Sequence, residues 1–89
     1  LFEWHDQKME LVYRGREITF DEVCSIFIDP TLTSFDDVGH YDEQRLISVG
    51  LSNRGRLLTV VWVERGDIAR IITAFEPSHY QKRRYSNAK

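Results

Sequence analysis

The sequence predicts an α+β fold in which N-terminal helices pack on one face of an antiparallel β-meander and a short C-terminal helix follows. Two observations point to it. Three β-rich runs fill the second half of the chain, and the short connections between them contain glycine. Capping-box patterns introduce helices before and after those runs.

The elements follow in order. Phe2 and Trp4 alternate in a short opening segment that suits an edge strand. His5 to Arg14 reads as a helix with Met9, Val12 and Tyr13 on its buried stripe, ended by Gly15. Thr19-Phe20-Asp21-Glu22 is a capping box, with Ile18 and Val23 placed as its hydrophobic staple. The helix it starts has apolar residues at Phe20, Val23, Cys24 and Phe27 and stops at Asp29-Pro30. Thr31 to Asp42 is rich in Asp, Ser and Thr and is expected to be a long loop. Arg45–Leu51 alternates Ile47, Val49 and Leu51. Leu57–Val63 is apolar on both phases, which marks a central strand. Strict alternation along Ile68–Phe75 puts Arg70 with Ile68, Ile72 and Ala74, and Phe75 with Ala69, Ile71 and Thr73. Pro77 and a second capping box, Ser78 with Gln81, start a final helix on which His79, Lys82 and Arg83 share one face.

Eighty-nine residues suit one domain spanning 1–89. A single cysteine rules out an intrachain disulfide and suits a reducing cytoplasm. The apolar runs are too short to span a bilayer, and no secretion pattern opens the chain. Since it begins at Leu1, a few residues are expected to precede it. The formal net charge of −2 hides a split: Arg54 to Lys89 carries eight Lys/Arg and three Asp/Glu, and Leu1 to Asn53 carries four and eleven. Such a chain can offer a basic face to a polyanion, unless folding mixes the charges.

Several stretches together carry a family resemblance. FEW followed by Lys8, ITFDEV, IFIDP, DEQRLISVGLSNRGRLLTVVWVERGD, RIITA and the basic closing helix with RRY resemble, in that order, the BrnT family. The similarity runs from Phe2 to Tyr85. It implies a RelE-like fold and a bacterial toxin endoribonuclease that cleaves RNA and arrests translation. It also implies neutralisation by a BrnA-type antitoxin, a ribbon-helix-helix protein through which the pair reaches operator DNA. Three positions depart from the family pattern. Gly15-Arg16-Glu17 stands where members commonly have a KHG-like step, Phe75 where they have Arg, and Gln81 where they have Glu. Phe75 and Gln81 keep one rival open, a nuclease-impaired member that only binds antitoxin and regulates its operon; a second, unrelated to the family, is a plain RNA-binding domain using the basic third.

A ribonuclease without metal needs a base, a proton donor for the leaving oxygen, and cations for the phosphorane charge. Arg70, on a strand, is the leading cation candidate; its alternative is an ion pair with Glu64 or Glu76. His79 is the candidate for proton transfer, and Lys82 and Arg83 for phosphate contact. Arg54, Arg56 and Arg65 lie on or beside turns and are candidates for gripping the RNA backbone. No cofactor is expected. His5, His40 and His79 show no ligand spacing, and Cys24 lies on an apolar stripe, so neither a metal site nor a thiol nucleophile is expected. Trp4 and Trp62 are read as core.

Overall fold

The computed structural model describes residues 2–4, 17–37 and 44–87. Its elements are β1 (Phe2–Trp4), α1 (Phe20–Ser25) running into a 3₁₀ turn (Ile26–Ile28), and β2 (Thr33–Asp37). They continue with β3 (Arg45–Leu51), β4 (Leu57–Arg65), β5 (Ile68–Phe75) and α2 (His79–Asn87). The helix expected over His5–Arg14, the Gly15-Arg16 step and His40 lie outside the described residues. The architecture is α+β: one five-stranded sheet in the order β1-β5-β4-β3-β2, antiparallel except where β1 runs parallel to β5.

β4 is central and buried on both faces, as its two-phase apolar pattern requires. One face packs on α1. Ile18, Val23 and Ile26 meet Leu58, Val60, Ile71 and Ala74, and Trp4, Phe20, Phe27 and Trp62 close the edge of this core. The aromatic rings touch edge-on or tilted: Trp4 with Phe20 at 5.1 Å between centroids, and Phe27 with Trp62 at 5.3 Å. Gly50 sits where the 3₁₀ turn crosses β3; a Cβ there would lie 2.8 Å from Leu32 Cδ1 and 3.0 Å from Ile26 Cβ. Cys24 is half-buried, and desolvation, helped by the nearby Asp21 carboxylate, pushes its thiol up to about 11.

The polar stretch expected to be loop contains β2. It lacks the apolar alternation of a strand, yet pairs with β3 from Thr33↔Val49 to Asp37↔Arg45. Side-chain hydrogen bonds support it. Ser34 and Ser48 hydroxyls lie 2.7 Å apart, and the Ser48 oxygen also accepts from Trp62 Nε1 at 2.8 Å.

The alternation expected along Ile68–Phe75 also breaks. Trp62 pairs with Ile71 and Val61 with Thr73, so Ile72 is an extra residue, a β-bulge on β5. The bulge reverses the phase of the strand. Ile71 and Ala74 both enter the α1-side core, although three residues apart. Phe75, opposite Thr59 in register, therefore shares the other face with Arg70, opposite Val63.

The two helices lie on opposite faces of the sheet. α2 crosses the face away from α1, held by the Thr59 hydroxyl donating to Gln81 Oε1 at 3.0 Å. The Ser78–Gln81 capping box forms in both directions: Gln81 N–H donates to Ser78 Oγ at 3.2 Å and Ser78 N–H to Gln81 Oε1 at 2.9 Å. Gln81 thus spends its carbonyl oxygen on the helix cap and on buried Thr59. The far end of α2 is tied down by Tyr85, whose hydroxyl donates to Asp29 Oδ2 at 2.6 Å and lies 2.7 Å from Thr31 Oγ1.

Candidate functional site

The arginines of the basic third fall into distinct environments. Thr19 Oγ1 caps α1 by accepting from the Glu22 N–H at 3.1 Å, as expected. The Glu22 carboxylate does not return to the cap. It is 1% exposed, and its Oε2 accepts from Ser52 Oγ at 2.8 Å and Arg56 Nε at 2.7 Å, while Oε1 accepts from Arg56 Nη2 at 2.6 Å. The bidentate Arg56 bond lowers the Glu22 pKa against the opposing effect of burial, with Ser52 and Arg54 assisting. Arg56 Nη2 also donates to the Glu17 carbonyl at 3.0 Å. Glu17 holds φ of 54°, in the left-handed region that favours glycine. Arg54 is looser, with Nη1 at 3.8 Å from Glu22 Oε1.

Folding therefore mixes the charge that the sequence separates. Arg54, Arg56 and Arg70 from the basic third pair with Glu22 and Glu3 from the acidic segment. Arg70 Nη1 lies 2.7 Å from Glu3 Oε1, a β1 carboxylate, rather than beside Glu64 or Glu76. The register explains the pairing, because Glu3 is the cross-strand neighbour of Arg70.

That register extends into a row of charge on the face that α2 crosses. Glu3 lies opposite Arg70, and Arg70 opposite Val63. Leu46 pairs with Trp62, so Arg45 comes next to Val63, and Arg45 lies opposite Asp37. Two half-buried arginines thus flank Val63, each with an acidic neighbour on its outer side. Two strand spacings separate their backbones, about 10 Å, within reach of two guanidinium groups converging on one phosphate. Arg45 was not among the residues that sequence reasoning selected. The signal was present in the alternation of Arg45, Ile47 and Val49, but a strand-end arginine has no local mark.

The other expected residues lie elsewhere on the same side of the sheet. His79 is the first residue of α2, and Lys82 and Arg83 are exposed on it. Arg70 lies near the start of β5 and Phe75 at its end, roughly 13 Å apart, and His79 opens α2 four residues beyond Phe75. Of the residues expected to act on RNA, Arg70 lies on β5, and His79, Lys82 and Arg83 lie on α2. Arg65 is exposed at the end of β4. Arg84, also unselected, lays its guanidinium over the Phe35 ring at 4.4 Å.

Asp29 is the most engaged carboxylate near α2. Burial raises its pKa, but hydrogen bonds from Tyr85, the Leu51 N–H, and the Thr31 N–H and hydroxyl hold it well below the usual carboxylate range. It is structural, joining the turn after the 3₁₀ segment to β3 and α2. Among the described residues, no group of three or more His, Cys, Asp or Glu could hold a metal ion. No helix among them is long and apolar enough to cross a membrane.

In comparison with known proteins, no curated protein matches the chain. The family model described as the ribonuclease toxin, BrnT, of type II toxin–antitoxin systems matches residues 4–79. That span contains the Glu22–Arg56 network, the arginine row and the start of the basic helix, so the chain belongs to the BrnT family of ribonuclease toxins.

Proposed function

We propose that the chain is a metal-independent endoribonuclease of RelE-like type, acting in the cytoplasm and held inactive by a BrnA-type antitoxin. The observation that carries the reading is the pair of arginines flanking Val63, with Glu3 and Asp37 beside them. In this mechanism the substrate phosphate lies between Arg45 and Arg70. The Glu3 carboxylate takes the proton from the ribose 2′-OH, the O2′–P bond forms, and the P–O5′ bond breaks. The leaving oxygen is protonated from solvent, giving a 2′,3′-cyclic phosphate and a 5′-hydroxyl. Arg45 and Arg70 stabilise the dianionic phosphorane, the largest charge that develops in the reaction. His79, Lys82 and Arg83 hold neighbouring phosphates along α2. The antitoxin covers the same side of the sheet, so partner and RNA compete, and operator DNA is reached only through the partner.

The experiment is cleavage of single-stranded RNA in chelator, with Arg70→Ala and Arg45→Ala beside the parent chain. Cleavage in chelator that both substitutions suppress is the expected result. Activity that a chelator abolishes and one metal restores sinks the metal-independent reading.

One observation favours the nuclease-impaired rival. Phe75 stands where the family resemblance implies Arg, and the bulge puts it on the Arg70 face, so that face lacks one cation the resemblance would place there. A chain that fails to cut RNA or arrest growth, yet binds its antitoxin, is what this rival expects.

A further inference from the structure

We propose that Tyr80, Arg84 and Phe35 form a nucleobase-stacking site on the β2 flank of α2. The proposal rests on the ribonuclease reading and adds where a base of the bound RNA sits. Tyr80 and Arg84 are four residues apart and share one flank of α2. The Arg84 guanidinium lies over Phe35 at 4.4 Å from the ring centroid. Its Nη1 donates to the Tyr80 hydroxyl at 2.9 Å, and its centre is 5.8 Å from the Tyr80 ring. A ring on one side and a hydrogen bond at the edge fix the plane of the guanidinium. Arg84 is nevertheless exposed, and Tyr80 is 53% exposed. A tyrosine this exposed contributes little to the core.

The chemistry fits a flat, electron-rich ligand. Arginine planes and aromatic rings are the surfaces on which unpaired bases stack, and stacking tolerates any base because each has a π-face. A base laid on Arg84 would extend the Phe35–Arg84 stack and meet the Tyr80 ring at its edge. The position suits RNA already held at the arginine row. Phe35 is two residues from Asp37 along β2, roughly 7 Å from the end of that row. The remaining charge of α2 is basic, with no acidic residue from His79 to Asn87, so a nucleic-acid strand is not repelled there.

The test measures binding of a 2′-O-methyl oligoribonucleotide, which cannot be cut because the attacking hydroxyl is blocked. One abasic residue is moved through each position in turn, against the parent chain, Tyr80→Ala, Tyr80→Phe and Arg84→Ala. One abasic position should weaken binding to the parent chain by roughly 5- to 150-fold, the range for one stacked base. Tyr80→Phe should keep that sensitivity, while Tyr80→Ala and Arg84→Ala should weaken binding to intact RNA and lose most of it. Thermal unfolding checks that each variant folds; should Arg84→Ala unfold, the Tyr80 pair decides, because Tyr80 is exposed. Equal weakening of intact and abasic RNA in Tyr80→Ala overturns the proposal, since it reports charge or fold and not stacking. A parent chain that cuts unmodified RNA but shows no abasic sensitivity overturns the stacking site and leaves the ribonuclease reading standing. A parent chain that neither binds nor cuts RNA overturns both.

Discussion

Removing the Arg56 guanidinium tests whether this arginine serves RNA or the fold. Arg56 makes two bonds to Glu22, at 2.7 and 2.6 Å, and one to the Glu17 carbonyl at 3.0 Å. Arg56→Ala leaves a carboxylate that is 1% exposed with one hydroxyl partner and Arg54 at 3.8 Å. Breaking a buried pair by deleting one partner costs about 3–5 kcal/mol, because the other charge stays buried. Arg56 itself is 33% exposed, so water can partly replace it and the lower end applies, about 3 kcal/mol. For a domain of this size that is a fall of roughly 12–24 °C in Tm. The pH dependence adds a signature. In the parent chain the folded pKa of Glu22 is lowered, so its stabilisation is present above the unfolded pKa and is lost as pH falls through the folded one. In the variant, burial without the cation raises that pKa, so the penalty is full at neutral pH and shrinks as Glu22 protonates. The gap between the two chains should therefore be widest near neutral pH, shrink as Glu22 protonates in the variant, and close only as pH falls through the lowered folded pKa of the parent. Urea or thermal unfolding by circular dichroism across pH measures it, with Arg54→Ala as a control expected to cost under about 1 kcal/mol. A loss below about 1 kcal/mol in Arg56→Ala, unchanged with pH, would refute the structural role and return Arg56 to the candidates for RNA contact.

Three further outcomes are expected. Arg70→Ala should lower single-turnover RNA cleavage by about a hundredfold or more, and Arg54→Ala far less, because only the strand-held cation is preorganised; equal, modest losses would show that both merely bind the backbone. Phe75→Arg should fold, since Phe75 is half-buried on the Arg70 face, and should raise cleavage by about tenfold or more; a folded variant with unchanged activity would contradict a catalytic use of that position. Tyr85→Phe should cost about 2 kcal/mol near neutral pH, the value of a hydrogen bond to a charged group. That loss should fade in acid as Asp29 protonates through its lowered pKa, and a pH-independent loss would point to packing instead.

Much of the scaffold is legible because it obeys local rules. Thr19 and Ser78 announce their helices, β4 announces its burial, and the bounds of Ile68–Phe75 match the strand. The failures all involve a partner far along the chain. β2 is polar, and only its pairing with β3 and the Ser34–Ser48 contact make it a strand. The bulge at Ile72 is set by how β5 matches β4, so strict alternation put Phe75 on the wrong face. Glu22 fits the capping box by spacing, but an arginine 34 residues away takes its carboxylate. The face shared with His79 and Lys82 singled out Arg83 of the RRY segment, and only the position of Phe35 reveals Arg84.

The same long-range contacts determine which arginines can serve RNA. A phosphate must displace or share whatever carboxylate already holds the guanidinium. At Arg56 the exchange would strand a buried Glu22, at a cost of several kcal/mol that one phosphate contact does not offset. At Arg70 the partner is Glu3, and the two side chains are 29% and 41% exposed. An ion pair this open contributes about 0–1 kcal/mol, so exchanging Glu3 for a phosphate costs little. It also frees the Glu3 carboxylate beside the substrate, where the proposed reaction needs a base. The sequence shows equivalent arginines in an electropositive third; burial of their partners divides them into one that holds the fold and one that is free to change ligand.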